Sequence, residues 1–220
     1  MLYFHLSLCN QSSRIMDPRM KHPFTCIIAG PTGSGKTYFV RRLLAHIEEM
    51  MKPIPDHIVW YYGEWQPIYA TIRGVEFVEG LPDIGALDPQ KRHLVIIDDL
   101  MSETDERITS LFTKKSHHRN ISVIYIVQNV FHKGKENRTI SLNSHYIVMF
   151  KNPRDASQIT HLAKQMYPGN VKYMQEAFYD ATSDPYGYLF IDLKQDTPEH
   201  LRLRTRIFPG QNQWVYLRKT

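Results

Sequence analysis

Eight consecutive residues, Gly30, Pro31, Thr32, Gly33, Ser34, Gly35, Lys36 and Thr37, fit the pattern G-x-x-x-x-G-K-[ST]. Residue types at this spacing suit one task, cradling a chain of phosphates. Glycines let the backbone wrap so that its N–H groups converge on anionic oxygens. A helix beginning at the end of the loop adds its partial positive charge. Lys36 is then expected to reach the β- and γ-phosphates, and the Thr37 hydroxyl to ligate Mg²⁺. The flanks agree with the motif. Residues 24–29 (FTCIIA) are apolar and β-favouring, and residues 37–51 (TYFVRRLLAHIEEMM) have the spacing of an amphipathic helix.

A second group supplies carboxylates. Residues 93–100 read HLVIIDDL, an apolar run that ends in two acids. Such a run describes a buried parallel strand with its acids at the C-terminal end, where ligands bind in this class of sheet. Asp98 is expected to hold Mg²⁺ through water, and Asp99 to orient or deprotonate an attacking water. ATPases with this layout usually carry Glu at the second position, and Asp99 is one methylene shorter. A third group, residues 121–129 (ISVIYIVQN), is another apolar strand and ends in two amides. Gln128 or Asn129 is placed to contact the γ-phosphate or the water as a sensor. Capping the turn after the strand is the other role open to an amide there.

These groups need a scaffold, and the chain alternates in the way an α/β fold requires. Strands are expected at 24–29, 57–62, 75–78, 93–97, 121–127 and 146–150. Helices are expected at 35–51 and 102–116, the latter opening on a capping box from Ser102 to Asp105. Asn152-Pro153 is expected to start a further helix through Met166 with proline at its first position. Residues 170–179 form one more, and 186–193 with 201–208 make a closing strand pair. Arg202, Arg204 and Arg206 alternate, so they are expected on one face, open either to a polyanion or to solvent at a sheet edge.

The chain has 220 residues, 42% of them hydrophobic, enough for one α/β domain with a full core. Its two cysteines, Cys9 and Cys26, make no disulfide framework or zinc spacing, so a reducing compartment is expected. Cys26 lies inside the strand before the Gly-rich loop and suits packing. No apolar run approaches membrane-spanning length. Residues 1–22 lack periodicity and a signal-peptide layout, and are expected to be an irregular extension to a domain at 23–220. Met16 is a candidate for an alternative start.

The net charge of +5 is unevenly spread. Residues 76–106 carry nine acids and two bases; residues 113–154 carry eight bases and one acid. The basic stretch holds Lys114, Lys115, Arg119, Lys133, Lys135 and Arg138. A basic face is the footprint of a polyanion partner, since neutralising phosphates releases counterions; a solvated surface that balances the acids is the plainer reading.

Taken in order and spacing, GPTGSGKT, HLVIIDDL and ISVIYIVQN resemble the FtsK/HerA-type P-loop ATPases, whose sheet is RecA-like, mostly parallel and flanked by helices. The closer resemblance is to viral genome-packaging ATPases of the poxvirus type and their relatives in Maverick/Polinton elements. The segments IVWYYGEWQ (58–66), KSHHRN (115–120) and FKNPRD (150–155) add to it, and it extends over residues 24–208. The resemblance implies a homo-oligomeric ring that hydrolyses ATP with Mg²⁺ to drive double-stranded DNA into a capsid. It also implies capsid-protein partners and action at virion assembly sites in the host cytoplasm or nucleus. Rings of this kind complete each site with an arginine from the neighbouring subunit. Arg119 precedes the amide-ended strand, at the end away from its own nucleotide, and is the first choice for that role in trans. Arg154 is the second.

Other classes remain to be weighed. A small GTPase needs a guanine-reading Asn-Lys-x-Asp after a late strand, and the sequence has none. A nucleotide or nucleoside kinase would need an Arg-rich lid and a phosphate acceptor. A DNA-binding accessory NTPase without translocation would tolerate a decayed loop, whereas Lys36, Thr37 and Asp98 are intact.

Overall fold

Runs such as TCIIA, HLVIID and ISVIYIV have no polar face to turn to water, so they must be covered on both sides. The computed structural model describes residues 2–5, 17–98, 100, 106–115, 119–131 and 135–218. Within it, these three runs are strands β3 (Thr25–Ala29), β7 (His93–Asp98) and β8 (Ile121–Val127), and every residue of them is buried. They lie side by side, β8 between the other two.

The remaining strands in chain order are β1 (Leu2–His5), β2 (Met20–Lys21), β4 (Met51–Lys52), β5 (His57–Tyr62), β6 (Glu76–Glu79), β9 (Tyr146–Phe150), β10 (Tyr188–Asp192), β11 (Leu203–Thr205) and β12 (Trp214–Leu217). Ten strands form one sheet in the order β1-β12-β11-β10-β9-β3-β8-β7-β5-β6. The six from β9 to β6 are parallel, and the four from β10 to β1 join antiparallel. This is an α/β architecture with a mostly parallel sheet and a C-terminal antiparallel extension.

The helices are α1 (Lys36–Ala45), α2 (Ile47–Met50), α3 (Glu106–Ser110), α4 (Lys135–Leu142), α5 (Ser157–Met166) and α6 (Val171–Ala181). They divide between the two faces. Phe39, Val40 and Leu43 of α1 pack with Cys26, Ile28 and Trp60 on one face. Ile108 of α3, Ile140 of α4, Leu162 of α5 and Met174 of α6 pack with Ile27, Val95 and Tyr125 on the other. Full burial of each such side chain contributes about 1.5–3 kcal/mol, which is why alternate residues of β3 serve different cores. Burial also pushes the Cys26 thiol far above its ordinary range, as expected of a packing residue.

The register carries the functional consequence. Ala29 pairs with Val127, and Asp98 with Ile126 and Tyr62. The C-terminal ends of β3, β8, β7 and β5 are therefore level, and whatever follows them opens on one common pole.

Four sequence expectations require correction. The helix expected at 35–51 breaks at His46, whose backbone leaves the helical region (φ −119°); Glu48 and Glu49 sit in the first turn of the short helix that follows. The helix expected from Asn152-Pro153 begins only at Ser157. The Asn152 side chain accepts from Arg154 N–H and Asp155 accepts from Ser157 N–H, so side-chain turns take up the residues after the proline. The N-terminal stretch expected to be irregular supplies β1, paired with β12, and β2, paired with β4.

The three arginines do not share an open face. Strand β11 lies between β10 and β12, and Arg204 is buried against Asp192 at 3.3 Å, with its guanidinium 4.8 Å over the Phe190 ring. Arg202 and Arg206 pair separately with Glu199 and Asp184. The expected helix at 102–116 is described from Glu106, ending in a wider turn at Leu111–Lys115. Its capping box lies outside the described residues.

Candidate active site

Residues 30–35 carry the chain from β3 into α1, and their geometry answers the demands of the motif. Gly35 is the N-cap of α1 at φ +101°, a left-handed conformation that a side chain would strain, and no side chain caps the helix. The first turn of α1 therefore presents its backbone N–H groups to the loop. A Cβ on Gly30 would lie 2.7 Å from both the Phe150 Cβ and the Ser34 Oγ, so that position admits only glycine. Ser34 Oγ is buried and has no hydrogen-bond partner within the protein. Lys36 Nζ donates to the carbonyls of Gly30 and Pro31 at 2.6 and 3.0 Å, folding the ammonium over its own loop.

The level strand ends bring the other groups to this loop. Thr32, Gly33, Gly35, Lys36 and Thr37 line an open cleft of about 290 Å³ together with Asp98 and Gln128. Asp98 ends β7 at 3% exposure, and Gln128 follows β8 directly and is exposed. Pro31 and Ser34 complete the loop between them. One ammonium, two threonine hydroxyls, one carboxylate, an unpartnered buried hydroxyl and a helix N-terminus fit a phosphate chain with a divalent cation. Lys36 and the loop would hold the phosphates, and Thr37 with Asp98 the cation. Asp99 lies outside the described residues.

Besides the exposed Tyr38 of α1, which also lines the cleft, two further polar side chains enter the site that the sequence did not flag. Gln66 lines the cleft, and the Tyr69 hydroxyl donates to Asp98 Oδ2 at 2.8 Å. Both come from the segment after β5, and Tyr69 is held in an aromatic block with Trp60, Trp65 and Phe77. The run of aromatic residues at 60–69 was visible in the sequence, but its route to Asp98 is tertiary.

Asn129, the alternative sensor, turns away. Its Nδ2 donates to Asp155 and its Oδ1 accepts from Phe131 N–H, so it caps the turn after β8. Hydrogen bonds from Ser157, Gln158 and Asn129 hold the Asp155 carboxyl below its usual range.

Arg119 sits at the opposite end of β8. Its Nη1 donates to the Ile84 carbonyl at 2.9 Å. The seven residues of β8 separate it from Gln128 by about 23 Å, beyond the reach of its own site. Arg154 is exposed on the same pole as the cleft. Of the basic residues, Lys135 and Arg138 are exposed on α4. Lys114 and Lys115 end the turn after α3, and Lys133 lies outside the described residues.

No protein-family model matches the chain. No match is found among curated proteins. Among solved structures, the genome packaging NTPase B204 of Sulfolobus turreted icosahedral virus 2, in complex with sulfate, is similar with a TM-score of 0.50 at 13% identity, over 80% of this chain and 94% of that one. The same protein in complex with AMP gives a TM-score of 0.50 at 15% identity, over 83% and 96%. The fold is that of a P-loop NTPase. A P-loop NTPase keeps its phosphate loop between a strand and a helix, and here that loop faces Asp98 and Gln128 across one cleft. No described helix is long and apolar enough to cross a membrane.

Proposed function

We propose that this P-loop NTPase hydrolyses ATP and uses the energy to move double-stranded DNA into a capsid, working as a homo-oligomeric ring. The convergence of Lys36, Thr37, Asp98 and Gln128 on one cleft carries the hydrolytic part of this reading. Lys36 exchanges the carbonyls of Gly30 and Pro31 for phosphate oxygens, a charge-assisted contact that strengthens as negative charge moves toward the leaving group. Thr37 and, through water, Asp98 would hold Mg²⁺, which would screen the phosphate charge. Gln128 orients the attacking water, and Asp99 receives its proton. Arg119 of a neighbouring subunit completes the site.

The motor part rests on different support. The likeness to a packaging NTPase is one of fold. The basic stretch from Lys114 to Arg138 supplies the polyanion contacts, with Lys114, Lys115, Lys133, Lys135 and Arg138 on phosphates. Capsid proteins are the remaining partners. The test is hydrolysis measured with and without Mg²⁺ and duplex DNA, beside the particle mass in solution. DNA-stimulated, Mg²⁺-dependent turnover by a ring is expected. Turnover that DNA leaves unchanged in a monomer would remove the motor and keep the NTPase.

A further inference from the structure

The cleft explains where the phosphates go and leaves the rest of the nucleotide unassigned. Asp98 and Gln128 lie on the flank of the phosphate loop formed by β7 and β8. A triphosphate whose terminal phosphate meets them projects its nucleoside toward the other flank. There β3 is paired with β9, and β9 with β10.

That flank holds an open groove of about 370 Å³. Gly33 and Ser34 of the phosphate loop form one wall; Phe150, Lys151 and Pro153 after β9 form the second, and residues 182–187 before β10 the third. Gly33 also lines the catalytic cleft, so the two spaces border the same loop.

Tyr186 stands at this groove. It is 71% exposed, more than any other large exposed hydrophobic side chain among the described residues. Its ring packs beside the helix N-cap, since a Cβ on Gly35 would lie 3.3 Å from Tyr186 Cδ1. Its backbone is left-handed at φ 62°, a strained conformation for an aromatic residue. An exposed aromatic ring, held by strained backbone next to a phosphate loop, suits stacking on a planar ligand.

The polar neighbours indicate how selective that stacking is. Thr182 and Ser183 already donate their hydroxyl hydrogens to the carbonyls of Phe178 and Asp180, and the Asp184 carboxylate is paired with Arg206. With these hydroxyl hydrogens and the carboxylate engaged internally, the exposed ring face beside the Lys151 side chain is the surface offered to a base, and every base has a face to stack.

We propose that the nucleobase of the bound nucleotide stacks on Tyr186 in this groove, and that the site consequently accepts purine triphosphates with little discrimination between adenine and guanine. The proposal rests on the nucleotide reading of the phosphate loop. Titration calorimetry of ATP, GTP and inorganic tripolyphosphate, each with Mg²⁺, separates the two. Wild type is expected to bind ATP and GTP within a few-fold of each other. Tyr186→Ala should weaken both about tenfold and leave tripolyphosphate unchanged, and Tyr186→Phe should restore both.

Equal losses for tripolyphosphate and nucleotides would make Tyr186 a support of the loop and overturn the proposal. So would an unchanged ATP affinity in Tyr186→Ala, a loss that follows instead from Tyr38→Ala, the other exposed aromatic beside the phosphate loop, or a wild-type preference for one purine above a hundredfold. Failure of wild type to bind even tripolyphosphate would overturn the nucleotide reading itself.

Discussion

The hydroxyl of Tyr69 donates a 2.8 Å hydrogen bond to Oδ2 of Asp98, with the two residues 1% and 3% exposed. A buried carboxylate needs donors to offset its lost hydration, and the bond also fixes the direction in which its oxygens face. The ring itself is wedged among Trp60, Trp65 and Phe77, so the hydroxyl has little freedom to move away.

Tyr69→Phe removes that oxygen and keeps the ring. The variant is expected to fold and to bind nucleotide. It should need about 10- to 100-fold more Mg²⁺ for half-maximal hydrolysis, the usual cost of losing an outer partner of a metal-holding carboxylate. A Mg²⁺ titration of the hydrolysis rate reads this directly, and an unshifted midpoint would mean that Asp98 is oriented by other contacts.

Lys36→Ala should abolish hydrolysis and weaken nucleotide binding, because it deletes the cation that now bridges the carbonyls of Gly30 and Pro31. Asp98→Asn should lose Mg²⁺-dependent turnover while retaining the melting profile of the wild type. Hydrolysis at the wild-type rate by either purified variant contradicts the assignment of the cleft.

Sequence made the phosphate loop, the acidic strand and the amide-ended strand readable because each is a local pattern whose meaning does not depend on what packs against it. The pairing that levels Ala29, Val127 and Asp98 follows from strands buried on both faces. Other features depended on what covers a segment. The alternation of Arg202, Arg204 and Arg206 states a period of two and says nothing about cover. With β12 alongside β11 and the Pro18 carbonyl accepting from Arg204, the expected open face is interior. Tyr69 and Gln66 carry no spacing signal, since only the turn after β5 brings them over Asp98. Asn129 and Gln128 are adjacent amides of which the sequence favours Gln128 as the sensor, and the Asp155 network engages Asn129 while Gln128 lines the cleft.

Gln128→Ala tests the sensor. Gln128 is exposed at the cleft, so its loss should leave stability unchanged. Binding of a non-hydrolysable triphosphate should also persist while turnover falls on the order of 10²-fold, the scale of losing one oriented polar group at a reacting centre. A parallel loss of binding would give Gln128 a ground-state role.

Replacing Lys133, Lys135 and Arg138 together with alanine should reduce DNA-stimulated hydrolysis more than basal hydrolysis. If the three side chains each neutralise one phosphate, the slope of log affinity against log salt should fall by about 3, without changing any sequence preference. Duplex binding measured from low to moderate salt gives both numbers. An unchanged slope would assign the basic stretch to something other than DNA.

Arg119 provides the most demanding test. Within its own chain it binds the Ile84 carbonyl at the far end of β8, so any contribution to hydrolysis must be made in another subunit. Arg119→Ala subunits are expected to bind ATP normally and to hydrolyse it poorly; an arginine supplied to such a site is worth on the order of 10³–10⁵ in rate. Loss of the Ile84 contact could lower stability too, so melting temperatures are measured in parallel. Mixing is decisive. Arg119→Ala subunits retain an intact phosphate loop, and Lys36→Ala subunits retain an intact arginine, so mixed rings contain junctions where both are present. Partial recovery of hydrolysis in verified mixed rings is expected. A destabilised fold would show no such recovery, because mixing does not restore the missing contact to Ile84. No recovery in stable mixed rings would pass the role to Arg154, which is exposed on the same pole as the cleft, or to a site completed within one chain.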